Sequence, residues 1–197
     1  MDSRRAVTRG VRLGVDVGKV RIGLASSDPD GLIATPIATV ARVPDGQPSA
    51  RSQSPASGKL SGPGKVPAQG LTADIEQIVQ EAGQRDAAAV YVGLPLQLDG
   101  RQGAAAADAR GFARRLADAL YLADTVSPVP VFLVDERMTT VTATSQLHEA
   151  GRRVKSHRAV IDQQAAVIIL QTALDTERQR GRRAGVDVGV SKGMAHS

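Results

Sequence analysis

Three acidic positions could do chemistry together: Asp16 in GVDVGKVRIGLA, the pair Asp135-Glu136 in VFLVDERMTT, and Asp162 in HRAVIDQQAAVIILQTALD. Gly14 and Gly18 neighbour Asp16 on one strand face and carry no side chain, which leaves room for a ligand. The same residue can equally cap a turn, where Asp and Gly cluster. Val131, Leu133 and Asp135 share one face of their strand, while Phe132, Val134 and Glu136 share the other. Spacing alone does not choose between the two acids, and Arg137 can pair with one of them or hold a phosphate. At about 100° per residue, Asp162 falls inside the apolar arc of Ile161, Ala165, Ile169 and Ala173. A carboxylate facing the sheet there must be paired, protonated or metal-bound.

Hard oxygen ligands of this kind suit Mg²⁺ or Mn²⁺. Two such ions about 3.5–4 Å apart can clamp an in-line displacement at a phosphodiester. The three histidines, His148, His157 and His196, are scattered without zinc-ligand spacing and read as surface residues. Lys155, His157 and Arg158 precede the Asp162 helix and can hold a phosphate or simply form a solvated basic loop. Gly93 would leave space between neighbouring strands.

The elements that must position these residues follow from pattern. Val11, Leu13, Val15 and Val17 alternate with Arg12, Gly14, Asp16 and Gly18, which predicts a strand. Lys19-Val20 is a tight connection to a second strand over Arg21–Ser26. A third covers Ile33–Val40, and Pro36 favours an edge position. Thr72 can cap a helix ending at Gly83, with Asp74 and Glu76 in its first turn. Ala87–Leu94 is a buried strand stopped by Pro95. A helix over about 104–122, a strand over Val129–Val134, a helix from Thr139 or Thr140 to Gly151 and a last helix over about 158–179 complete the order. A meander followed by βαβ crossovers gives a mixed sheet covered by helices.

Composition sets the frame. The 197 residues suit one domain. Aromatics are only 2%, which argues against base stacking as the main grip on single strands. The formal charge of +5 favours a polyanionic partner, though much of the excess sits in the tails. There is no cysteine, so disulfides and thiolate metal sites are excluded. No secretory signal or membrane-spanning stretch is evident, and a soluble cytoplasmic protein is expected. Residues 1–9 read as a flexible basic N-terminus and 10–177 as one domain. The Pro-, Gly- and Ser-rich stretch at about 42–70 reads as a disordered insertion, and 178–197 as a flexible tail. GVDVG recurs at 185–189 inside that tail, with no apolar strand after it to pair.

GVDVGKVRIGLA, VGLPLQLDG, DERMTT and VIDQQAAVIIL, in this order, resemble the YqgF family. These are Holliday-junction-resolvase-like proteins, also described as nucleases maturing pre-16S ribosomal RNA. The resemblance covers about 10–175 apart from the insertion. It implies an RNase H-like fold, a five-stranded mixed sheet with an initial antiparallel meander and helices on both faces. It also implies metal-dependent nuclease chemistry with Mg²⁺ or Mn²⁺ held by Asp16, Glu136 and Asp162, Asp135 becoming a supporting residue beside Gly18, Gly93 and Pro95. Lys19, Arg21, Arg137, Lys155 and Arg158 are the cations expected to meet nucleic acid, with ribosomal particles among the partners implied.

The leading expectation is an endonuclease trimming the small-subunit ribosomal RNA precursor. Holliday-junction resolution shares the chemistry and differs in substrate, and a resolvase should act as a symmetric dimer. A catalytically silent nucleic-acid-binding module is the alternative from another class. Concentrating acids near phosphates argues against it. DVGKVRIG also resembles the first phosphate loop of actin-like phosphotransferases, but the chain is too short for two such domains.

Overall fold

The computed structural model describes residues 6–43, 71–96, 103–124, 127–138 and 158–191, with the backbone alone at 138 and 158–162. Its strands are β1 (Val11–Val17), β2 (Arg21–Ser27), β3 (Ala34–Ala41), β4 (Ala87–Leu94), β5 (Val131–Asp135) and β6 (Val186–Asp187). The helices are α1 (Ala73–Gln84), α2 (Ala104–Ala123) and α3 (Arg158–Arg180), and a 3₁₀ turn covers Glu136–Met138. The strands form one sheet in the order β3-β2-β1-β4-β5-β6. β1, β4 and β5 run parallel, while β2, β3 and β6 are antiparallel to their neighbours.

Period-two alternation divides the sheet between two cores. Leu13, Val15, Ile22, Leu24, Val90, Val92, Val131 and Leu133 pack with Ile75, Ile78, Phe112 and Leu116 of α1 and α2. Ala25, Tyr91, Phe132 and Val134 face Ala166, Ile169, Leu170, Ala173 and Leu174 of α3. Burying each large aliphatic side chain contributes about 1.5–3 kcal/mol. Gly14 on β1 lets α3 lie close to the sheet. A Cβ there would come within 2.7 Å of both the Ala166 carbonyl oxygen and Leu170 Cβ. Gly14 therefore sets how deep α3 sits.

Several expectations are corrected. The sheet has six strands, not five, because the second GVDVG forms β6 along β5: Phe132 pairs with Asp187 and Leu133 with Val186. Gly185 makes this possible at φ +76°, where a side chain would be strained, and a Cβ there would lie 2.2 Å from the Leu133 carbonyl oxygen. The expected flexible tail is thus docked as far as Ser191, whose backbone N–H donates to Asp118 Oδ1 at 2.7 Å and whose hydroxyl reaches Oδ2 at 2.6 Å. Arg183, counted with that tail, is buried. Thr72 is the N-cap of α1 but makes no side-chain capping bond. Asp74 supplies the nearby bonds instead: Oδ1 accepts from Ile75 N–H and Oδ2 from Val43 N–H, and Arg42 lies 3.6 Å away. Pro36 sits on the edge strand β3 as expected, beside a register shift opposite Leu24 and Ala25. The expected helix at 139–151, and the 44–70 part of the insertion, lie outside the described residues.

A second buried polar cluster ties the other end of the sheet together. Glu177 accepts from Arg12 at 3.1 Å and from Arg183 at 2.9 Å, and Tyr91 donates its hydroxyl to the same carboxylate. This acid near the end of α3, unremarkable in sequence, is in fact enclosed and doubly paired. Burial, and then the charge of Glu177, push the Tyr91 phenol up, so it stays a hydrogen-bond donor.

Candidate active site

The C-terminal ends of β1 and β4 lie where the chain's strand order reverses, the place where open α/β sheets usually bind ligands. Asp16 stands there, half-buried near the end of β1. It pairs with Gly23 of β2. On the other side Val15 pairs with Val92 in parallel register, and the next step sets Asp16 beside Gly93. With Gly14 and Gly18 along its own strand, Asp16 projects from a floor of four glycines. Gly14, Gly18 and Gly93 were legible in sequence. Gly23 was missed, although writing out the register of a hairpin closed by Lys19-Val20 would have found it.

Glu136 follows β5 directly, in the 3₁₀ turn. It reaches back over Gly93: a Cβ there would lie 2.6 Å from Glu136 Oε1 and 2.5 Å from Ile169 Cδ1. Only a residue without a side chain lets the carboxylate lie toward Asp16. Burial first, then the charges of Asp16 and Asp135, raise the Glu136 carboxyl from 4.5 to about 7. That mutual repulsion is what a divalent cation between hard oxygen ligands would relieve.

Asp135 plays another part. It takes Arg137 side-on, with Nη2 to Oδ2 at 2.7 Å and the Arg137 backbone N–H to Oδ1 at 3.0 Å. The Arg137 hydrogen bond is the main reason its carboxyl lies below the usual range. Arg137 is thus engaged with Asp135, whatever it does with nucleic acid.

Asp162 occupies the first turns of α3, where the backbone is described. Arg12 meets Glu177 while Gly14 meets Ala166 and Leu170, so α3 runs antiparallel to β1. Gly14 to Asp16 is about 7 Å of strand. Ala166 back to Asp162 is about 6 Å of helix. The helix backbone at 162 is therefore level with Asp16. Among the described residues no cluster of three or more His, Cys, Asp or Glu could hold a metal ion, and the Asp162 side chain is not among them.

The remaining predicted positions fall as follows. Lys19 is exposed at the hairpin tip. Arg21, half-buried, shares the face of Asp16, since Gly18 N–H bonds to the Arg21 carbonyl at 2.9 Å across the hairpin. Pro95 follows β4 and is half-buried. Lys155 and the three histidines lie outside the described residues, as does the Arg158 side chain. Asp187 lies three strands from β1, about 14 Å away at usual strand spacing. It pairs beside the start of β5, not its end, and Asp187 Oδ1 accepts from Gly189 N–H at 2.8 Å.

Sequence reasoning also missed Arg42. Its buried guanidinium bonds to Asp108 at 2.8 Å, sits 4.9 Å above the Phe112 ring and donates to the Gly18 carbonyl at 3.4 Å. A cavity of about 580 Å³ opens at the opposite, N-terminal end of the parallel strands, near Gly10, Ala87 and Pro130. Neither Asp16 nor Glu136 lines it.

The chain is similar to known proteins over most of its length. A family model described as "RuvX: Holliday junction resolvase" matches residues 50–176. A "Putative pre-16S rRNA nuclease" of Clavibacter michiganensis subsp. michiganensis is 48% identical over 176 residues, covering 89% of each chain. One of the same name from Streptomyces coelicolor is 43% identical over 182 residues, covering 92% of this chain and 90% of its own. Among solved structures, T. thermophilus RuvC in complex with a Holliday junction substrate matches with TM-score 0.50 at 17% identity, over 88% of this chain and 98% of that one. That likeness is one of fold and bears out the RNase H-like architecture. The sequence resemblance is borne out with it: this chain belongs to the RuvX (YqgF) family of Holliday-junction-resolvase-like proteins.

Proposed function

We propose that this protein is a divalent-metal-dependent endonuclease that hydrolyses phosphodiesters during maturation of the 16S ribosomal RNA precursor. The observation that carries this reading is the Asp16–Glu136 pair, held over Gly93 with Glu136 raised to about 7. The ligand chemistry fits Mg²⁺ or Mn²⁺. Asp16 and Glu136 would hold the ion, and the register of α3 supports Asp162 as the third ligand. Bound there, a divalent ion supplies a nucleophilic water at neutral pH and charge stabilisation at the phosphoryl oxygens, and a second ion can share the task.

The protein's own residues do the positioning. The glycine floor lets a sugar-phosphate backbone approach Asp16 closely. Arg21 lies on the same face, and Lys19 flanks it, so phosphates on either side of the scissile bond meet positive charge. Arg137 draws Asp135 away, leaving Glu136 as the acid of that pair turned toward Asp16. Relatives named as pre-16S rRNA nucleases support the substrate. No described helix is long and apolar enough to cross a membrane. A cytoplasmic site of action, on free precursor RNA or on ribosomal particles, fits such a substrate.

The test is incubation of purified protein with precursor 16S RNA and Mg²⁺ or Mn²⁺, followed by mapping of the ends produced. Cleavage should disappear in Asp16→Asn with the fold intact. No cleavage of RNA with either metal, together with normal ribosome maturation in cells carrying Asp16→Asn, would sink the proposal. The family description favours a second reading, resolution of branched DNA. A four-way junction assayed beside the precursor RNA separates the two, because the better substrate is cut faster at equal concentration.

A further inference from the structure

The hairpin tip beside the site carries a residue that its place in the fold does not explain. Val20 is 72% exposed, more so than Val7, Leu32, Ile33 or Val186, the other large apolar residues exposed in the described structure. Tight turns ordinarily carry Gly, Asn, Asp, Ser or Pro. Here a β-branched aliphatic residue stands between Lys19 and Arg21.

The tip is held in place from several sides. Gly18 N–H donates to the Arg21 carbonyl at 2.9 Å, and Arg42 N–H donates to the Val20 carbonyl at 2.9 Å. The Arg42 side chain reaches the Gly18 carbonyl at 3.4 Å. That side chain is only 6% exposed, and Asp74 and Asp108 lie against it. Val20 is thus presented on a braced turn. Its distance from Asp16 along the hairpin is about 10 Å, three strand steps. At about 3.4 Å per stacked nucleotide, that spans two to three nucleotides.

Resting on the nuclease reading above, we infer that Val20 is a specificity-determining contact, an apolar wedge against a nucleobase two to three nucleotides from the scissile phosphate. Lys19 and Arg21 suit phosphates, and an isopropyl group does not. The apolar surface left to it on a nucleic acid is a base face or a ribose. Aliphatic side chains that enter a base step unstack it, and unstacking is cheapest where pairing already ends. The substrate class this selects is RNA with a duplex-to-single-strand boundary beside the cleavage site.

The experiment compares wild type, Val20→Ser and Val20→Leu on two RNAs of identical cleavage sequence, one with such a boundary and one fully unpaired. Val20→Ser should lower kcat on the boundary substrate about tenfold and change the unpaired one less than twofold, with Tm unchanged. Val20→Leu should retain the boundary preference. In an Asp16→Asn background, 2-aminopurine placed two to three nucleotides from the cleavage site should brighten on binding when Val20 is intact and stay dark with the Val20→Ser variant. Wild-type cleavage with the same substrate ratio in Val20→Ser overturns the inference alone. Wild type that cuts neither RNA overturns the nuclease reading and the wedge with it.

Discussion

Glu136→Gln should stabilise the metal-free protein at pH 8 while removing its activity. The Glu136 carboxyl is raised from 4.5 to about 7 by burial and by the charges of Asp16 and Asp135. The folded state therefore binds more protons than the unfolded chain between those values, and stability falls as pH rises through that window. At about 1.4 kcal/mol per pH unit, the full gap would cost about 3 kcal/mol above pH 7. Partial contact with water reduces this to about 1–2 kcal/mol. Glutamine keeps the shape and loses the charge, so the cost should vanish. In EDTA, Tm of Glu136→Gln should exceed wild type by about 2–8 °C at pH 8, since 1 kcal/mol moves a chain of this size about 2–4 °C. The two should nearly coincide at pH 4.5. Adding Mn²⁺ should raise wild-type Tm at pH 8, by about 2.7 kcal/mol of stability at one hundred times Kd, and leave Glu136→Gln unmoved. Metal affinity of the wild type should weaken as pH falls below about 7, where Glu136 takes up its proton. A Glu136→Gln protein no more stable than wild type at pH 8, or stabilised equally by Mn²⁺, would refute the repulsion and the ligand role respectively.

Gly93→Ala should drive a Cβ against Glu136 Oε1 and Ile169; we expect about 1–3 kcal/mol of destabilisation by urea melts and about a hundredfold loss of cleavage rate, because the carboxylate must move. Glu177→Gln leaves Arg12 and Arg183 buried against a neutral group; Tm should fall by about 6–12 °C, an unfolding cost of about 3 kcal/mol, with kcat at 25 °C within twofold of wild type. Asp187→Asn should keep full activity and change stability by less than about 0.5 kcal/mol, since the amide oxygen can still accept from Gly189 N–H. Loss of activity matching that of Asp16→Asn would overturn the assignment of the second GVDVG to structure alone.

The strand pattern around Asp16 and the existence of the helix that carries residue 162 were readable because both depend on local periodicity, which side-chain burial imposes directly on the sequence. Order and approximate bounds of most described elements were readable for the same reason. The chemistry class followed from acid type and from four motifs in order. Other features depend on which segments meet, and no local pattern reports that. The choice of Glu136 over Asp135 needed family resemblance at the sequence level. In the structure, Glu136 folds back over Gly93 while Arg137 holds Asp135. The same holds for Gly23 beside Asp16, for Arg42 bracing the hairpin, and for Glu177 between two arginines. The two GVDVG copies show the division most directly. Five identical residues carry the same local preference for extended backbone, and both became strands. One lies between β2 and β4 at the sheet's reversal point, with Glu136 close by, and the other closes the edge against β5. Sequence alone marked the first copy as a strand with an acid in it and placed the second in a flexible tail; only long-range pairing made the second an edge strand and decided that Asp16 faces another carboxylate while Asp187 bonds to its own turn.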